Sequence, residues 1–219
     1  QLSMVDEDIM VNVRVYGTDR KVTPRDQWTS FCEFTQMRFS NYLAKVNSGV
    51  AESEGLYLAL FEVGNTKLAK LFRSTLNSIS DSSSLQSQET NDINLWVSPP
   101  NHLEPLHFDG DDGTLIQFSG RKKVTLIDPK YSKKLYPFPW WKGGMPSTFS
   151  RVDIYNPDIH KYPNAPIALK NALSIELHPG MALFIPAGWW HQVEAVPGFT
   201  NIVSVNRFWH TRHIGKLLF

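Results

Sequence analysis

The chain has 219 residues, 42% hydrophobic and 20% charged, with 22 Lys and Arg against 21 Asp and Glu for a net charge of +1 at pH 7. Such a composition belongs to a folded domain with a sizeable core and not to a disordered chain, and so even a charge balance carries no electrostatic footprint for nucleic acid or an anionic membrane. The single cysteine, Cys32, excludes an internal disulfide and a multi-cysteine zinc site and points to a reducing compartment, the cytosol or the nucleus.

No apolar stretch approaches the ~20 residues that span a bilayer, and Gln1-Leu2-Ser3 lacks the basic and apolar regions of a secretory signal. Neither membrane insertion nor secretion is expected. The chain has no initiator Met and ends on Leu217-Leu218-Phe219, so it reads as a fragment of a longer protein. Its oligomeric state is left open.

In chain order, Met10 to Tyr16 alternates, with Val11, Val13 and Val15 on one side, which predicts an opening strand. Ser40 is placed to cap a short helix carrying Tyr42, Leu43 and Val46. A second helix follows from Asn65 as cap and Leu68, Leu71, Phe72 and Leu76 on one face, so residues 1–76 form a strand-and-helix scaffold. The serine-rich stretch 77–92 has little to bury and reads as an exposed loop. From residue 93 to 209 the texture changes to short apolar runs: Ile93 to Val97, Thr114 to Phe118, Lys123 to Ile127, Leu173 to Leu177, Ala182 to Ile185, Gln192 to Val196 and Ile202 to Phe208. Turn formers such as Pro99-Pro100, Ser119-Gly120, Pro179-Gly180 and Pro197-Gly198 separate them, and strands at that spacing predict a sandwich or barrel. Residues 136–171, rich in Pro and aromatic residues without periodicity, read as a long insertion, where Trp140 and Trp141 either cover the barrel mouth or line a substrate groove. Residues 210–219 begin a truncated C-terminal segment, and the whole reads as one domain.

The chemistry concentrates in His107-Phe108-Asp109, which follows an expected strand. In extended chain, residues i and i+2 point to one face, so an imidazole and a carboxylate converge. His191, after Ala182 to Ile185 and the pair Trp189-Trp190, supplies a third ligand from a facing strand. Two imidazoles and one carboxylate occupy one face of an octahedral Fe(II) and leave the other positions for an oxidisable cosubstrate and dioxygen. His102, His160, His178, His210 and His213 are read as bystanders without a carboxylate at strand spacing, and Asp111 and Asp112 as a solvated turn.

Around those ligands stand Leu115-Ile116-Gln117-Phe118-Ser119-Gly120-Arg121-Lys122-Lys123, then Pro179-Gly180, then Ile185-Pro186-Ala187-Gly188-Trp189-Trp190-His191, then Val205-Asn206-Arg207-Phe208-Trp209. In that order, from about Leu56 to Trp209, the sequence resembles the JmjC oxygenases of the cupin superfamily, and in particular the small protein hydroxylases of the asparaginyl hydroxylase type that acts on hypoxia-inducible factor. Leu135-Tyr136-Pro137, Val152-Asp153 with Asn156-Pro157-Asp158, and Tyr162-Pro163 are similar to the insertion of that subgroup.

The resemblance implies a mainly β fold, a double-stranded β-helix or jelly-roll barrel with flanking N-terminal helices. It implies Fe(II), 2-oxoglutarate and dioxygen, with iron on His107, Asp109 and His191. Lys122 matches the lysine that pairs with the distal carboxylate of 2-oxoglutarate, a charge-assisted contact that offsets the cost of burying that carboxylate. Tyr57 matches a tyrosine whose hydroxyl reaches the same carboxylate, Asn206 an asparagine near the cosubstrate, and Trp96 an aromatic or apolar position lining the pocket. Core roles stay open for Tyr57 and Trp96, and a solvated strand end for Lys122.

Two positions depart from the resemblance. Glu104 stands where the hydroxylases carry a small hydroxyl residue, so it either turns outward or alters the pocket, and Gly113 stands where Asn is usual. The implied activity is hydroxylation of a protein side chain, or demethylation by hydroxylation, with succinate and carbon dioxide as coproducts. A protein or peptide is the expected substrate partner, while nucleic acid lacks a basic groove to receive it. Hydroxylation of an RNA base, a metal cupin that does without 2-oxoglutarate, and a non-catalytic binding module remain as alternatives.

Overall fold

The computed structural model describes residues 9–16, 23–28, 32–63, 72, 89–141 and 145–209. The expected helix over 65–76 lies outside these apart from Phe72, as do most of the serine-rich loop and the segment 210–219. Two antiparallel sheets face each other. The larger runs in the order β2 (Glu33–Arg38), β1 (Met10–Val15), β3 (Leu56–Glu62), β4 (Glu89–Ser98), β11 (Ile202–Trp209), β6 (Asp112–Ser119) and β9 (Ala182–Ile185). The smaller runs β5 (Leu103–His107), β10 (Trp190–Ala195), β7 (Lys122–Ile127) and β8 (Leu173–Leu177). From β4 to β11 successive strands switch sheets at every step but β7 to β8, as in a jelly roll, so the expected fold class holds.

Alternation along the larger sheet sorts its residues into two populations. Val11 and Val13 on β1, Leu56 and Leu58 on β3, Leu95 and Val97 on β4, and Val203 and Val205 on β11 form one buried cluster. A helix, α1 (Phe39–Asn47), closes that cluster with Phe39, Tyr42, Leu43 and Val46 at i, i+3, i+4 and i+7, the apolar stripe of a surface helix. It begins a residue before Ser40, whose expected capping role is not taken: Arg38 holds the cap position and no side chain bonds the helix end. The buried Tyr42 hydroxyl donates to the Val97 carbonyl at 2.6 Å and accepts from the Leu58 amide at 3.0 Å, joining the helix to β3 and β4. A second short helix, α2 (Val50–Ser53), leads into β3.

Residues of the opposite parity, Tyr57, Trp96, Ser204 and Asn206, face the space between the sheets. Gly120 makes one corner possible, where the chain leaves β6 for β7. Its φ is +65°, and a Cβ there would lie 2.7 Å from Ile202 Cγ1 and 3.0 Å from the Asn201 carbonyl, so a side chain is excluded on both counts.

Several elements were not legible. β2 carries an exposed pattern at the sheet edge, and β3 follows a turn without a period-2 polar face. β4 starts at Glu89, inside the stretch read as loop. The insertion 136–171 is ordered by bridges Pro137 to Ser150 and His107 to Phe149 and by a short helix, α3 (Ala165–Leu169). Trp140 and Trp141 are 82% and 72% exposed and meet edge to face, their ring centroids 5.8 Å apart.

Candidate metal centre

His107 ends β5 and His191 lies directly opposite it on β10, the paired register setting their rings 4.2 Å apart centroid to centroid. Asp109 follows two residues later, and its Oδ2 lies 3.6 Å from His191 Nε2. One ligand atom from each of the three falls within 4.8 Å of the others. The loop after β5 is fixed against the turn before β10: Gly188 N–H donates to the Asp109 carbonyl at 2.9 Å, and Ala187 N–H to Asp112 Oδ1 at 2.7 Å. Asp112, expected in a solvated turn, is therefore a structural acceptor that holds the approach to His191.

The imidazole tautomers suit a metal. Nδ1 of His107 lies 2.7 Å from the Pro105 carbonyl and Nδ1 of His191 lies 3.0 Å from the Trp189 carbonyl. A carbonyl accepts, so each Nδ1 carries the proton and each Nε2 keeps its lone pair for a cation, the arrangement that orients ligating histidines. Burial and the neighbouring His107 ring push the His191 pKa down to about 4, opposed in part by the Asp109 carboxylate. A neutral imidazole is the form that ligates. Phe149 stacks on His107 at 5.0 Å, with Phe108 N–H bonded to the Thr148 carbonyl, so the insertion walls one side of the cluster. The three residues fit a divalent metal of the facial-triad kind.

A cavity of about 280 Å³ opens beside the cluster and is lined by Tyr57, Trp96, Lys122 and Asn206 as well as His107, Asp109 and His191. Lys122 is 3% exposed and donates to Ser204 Oγ at 2.5 Å, which replaces the solvated strand end by a buried one. Burial pushes its pKa down to about 8, with Glu104 partly restoring it. Trp96 Nε1 donates to Asn206 Oδ1 at 2.8 Å, so those two hold each other at the wall. Tyr57 is buried and stacked on His102 at 3.6 Å, and burial raises its pKa well above the usual tyrosine value.

Glu104 faces this cavity. Simple alternation would send it away from His107, three residues on. The register resolves the conflict: His191 opposes His107 while Val193 opposes Glu104, so three steps on β5 match two on β10. A β-bulge at Pro105-Leu106 turns both side chains inward. Burial raises the Glu104 pKa, yet His102, His107 and Arg14 outweigh it and hold the carboxyl down to about 2. His102 Nε2 lies 3.6 Å from Glu104 Oε2, and His178 Nε2 3.4 Å from Glu176 Oε1, so both histidines do have a carboxylate at strand spacing.

Arg14 also lines the cavity and was not singled out from sequence. The signal was present: it stands between Val13 and Val15, hence on the inner face of β1. Gly113 lines the wall, where an added Cβ would meet only the Phe208 ring at 3.7 Å.

The sequence model of the cupin-like domain matches residues 1–214. Lysine-specific demethylase JMJ31 of Arabidopsis thaliana is 34% identical over 167 residues, 74% of this chain and 29% of its own length. Lysine-specific demethylase 8 of Xenopus tropicalis is 35% identical over 104 residues, 48% of this chain and 22% of its own. Human HSPB1-associated protein 1 is 35% identical over 115 residues, 51% and 22% respectively. The chain thus spans less than a third of these relatives. With the family model matched over nearly the whole chain, it belongs to the cupin-like domain family, among its JmjC members.

Proposed function

We propose that this domain is an Fe(II)- and 2-oxoglutarate-dependent oxygenase that hydroxylates a protein side chain, or demethylates lysine by hydroxylating its methyl group. The observation that carries the reading is the His107, Asp109 and His191 cluster at a cavity that also contains the buried ammonium of Lys122. His107, Asp109 and His191 would hold the metal, and Lys122 the distal carboxylate of the cosubstrate, with Tyr57, Trp96 and Asn206 as its walls. When bound, iron with 2-oxoglutarate supplies the power to insert an oxygen atom of dioxygen into an unactivated C–H bond, releasing succinate and carbon dioxide. The chain's own part is to fix the imidazoles through the Pro105 and Trp189 carbonyls, to orient the keto acid along the cavity, and to exclude water behind Phe149 and Phe208.

Relatives named as lysine-specific demethylases support a protein substrate, and the lone, unbridged Cys32 supports a reducing compartment. Among the described residues no helix is long and apolar enough to cross a membrane. A non-catalytic binding module stands as the second reading, favoured by the acidic Glu104 inside the cosubstrate cavity.

The test is succinate formation by protein purified without oxygen and reconstituted with Fe(II), given 2-oxoglutarate and pools of peptide or RNA. Turnover stimulated by peptide and abolished by Asp109→Ala is expected. Succinate formed at an unchanged rate by Asp109→Ala would overturn the reading, and stimulation by RNA alone would move it to the nucleic-acid alternative.

A further inference from the structure

The cavity carries one more acidic group than a site for a dicarboxylate should tolerate. With Asp109 committed to the metal cluster, Lys122 shares this space with Glu104. Glu104 Oε2 is buried without a hydrogen bond inside 3.5 Å, and His102 Nε2, its ion-pair partner at 3.6 Å, offsets its charge only when protonated. With His102 neutral, that carboxylate would cancel the ammonium of Lys122, and the distal carboxylate of an incoming keto acid would meet no net attraction. Arg14 changes the balance. It enters the same cavity from β1, its Nη1 bonded to the Tyr16 hydroxyl at 3.1 Å, and its field and that of Glu104 act on each other. The charges of Arg14, Glu104 and Lys122 together leave one positive charge in the cavity.

We propose that Arg14 is a positioning residue of the cosubstrate pocket, its guanidinium opposing Glu104 so that Lys122 remains available to a dicarboxylate; this rests on the 2-oxoglutarate reading above. Arg14 and Glu104 then act as one unit in place of the neutral hydroxyl residue implied by the resemblance. Removing the arginine alone exposes the repulsion, whereas removing both restores a neutral wall.

The test is calorimetric titration of 2-oxoglutarate into the Mn(II)-loaded protein, which reads binding without turnover. Wild type, Arg14→Met, Glu104→Thr and the double variant are compared, with Mn(II) affinity by electron paramagnetic resonance and thermal unfolding followed on the same samples. Arg14→Met is expected to weaken 2-oxoglutarate about tenfold or more, the scale of one opposite charge at short range. In the Glu104→Thr background the same change should matter by no more than about twofold, the scatter of independent sites. Arg14→Lys, which keeps the charge, should stay near wild type, and Mn(II) affinity should not move in Arg14→Met or Arg14→Lys. Equal losses in both backgrounds, no loss at all, or Arg14→Lys as poor as Arg14→Met would overturn the proposal while leaving the cosubstrate reading intact. Wild type that binds Mn(II) but no 2-oxoglutarate would overturn both.

Discussion

Replacing Lys122 by Met removes the group that the proposed cosubstrate needs and, at the same time, relieves the folded protein of a buried charge. In the structure the ammonium is almost fully buried, and its pKa falls from 10.5 to about 8. That depression corresponds to about 3 kcal/mol of penalty on the charged form at neutral pH. Met fills similar space, but the lost contact to Ser204 Oγ takes back about 1 kcal/mol. Lys122→Met should therefore stabilise the ligand-free protein by about 2 kcal/mol at pH 7. The sign follows from proton uptake: between pH 8 and 10.5 the unfolded chain binds the lysine proton more strongly than the native one, so wild-type stability gains from this group as pH rises through that window and is insensitive to it below. Urea unfolding of both proteins at pH 7 and pH 9.5 measures the difference, which should shrink by ~2 kcal/mol at the higher pH. A variant that is less stable than wild type at pH 7, with a gap that does not change with pH, would refute the account of Lys122 as a desolvated cation. The same variant should bind no 2-oxoglutarate, so stability and ligand binding move in opposite directions.

Other expectations concern the scaffold. Asp112→Ala deprives the Ala187 amide of its acceptor, and a loss of about 1–2 kcal/mol in denaturant unfolding together with weaker Mn(II) binding is expected, since that contact aligns the turn before His191. Tyr42→Phe leaves both the Val97 carbonyl and the Leu58 amide unpaired in the core, for a loss of about 2–4 kcal/mol with Mn(II) affinity unchanged.

The barrel was legible because its strands are short apolar runs punctuated by Pro and Gly, and Leu173–Leu177 and Ala182–Ile185 have the bounds read from sequence. The proposed ligands were legible because His107 and Asp109 are a short-range pair and His191 follows a run that closes a strand. What escaped the reading depended on pairing. The edge strand Glu33–Arg38 exposes most of its side chains, so no buried face marked it. Whether Glu104 points in or out is decided by the register of β5 against β10, which no local pattern records. Asp112 looked like one more acidic turn residue until its amide partner, 75 positions away, was in place. Arg14 is the opposite case, since the alternation that placed its valine neighbours in the core already implied its direction.

The bulge in β5 lets two side chains three residues apart share one wall of the pocket, so strand pairing as well as residue type governs its electrostatics. Excising the extra position between Glu104 and His107 would restore plain alternation at a spacing of two and leave both side chains facing the cavity, whereas a straight strand of the present length would turn the acidic side chain to the opposite face. The acidic lining thus tolerates loss of the inserted position, and only a re-pairing of β5 against β10 or a substitution at residue 104 makes that wall neutral.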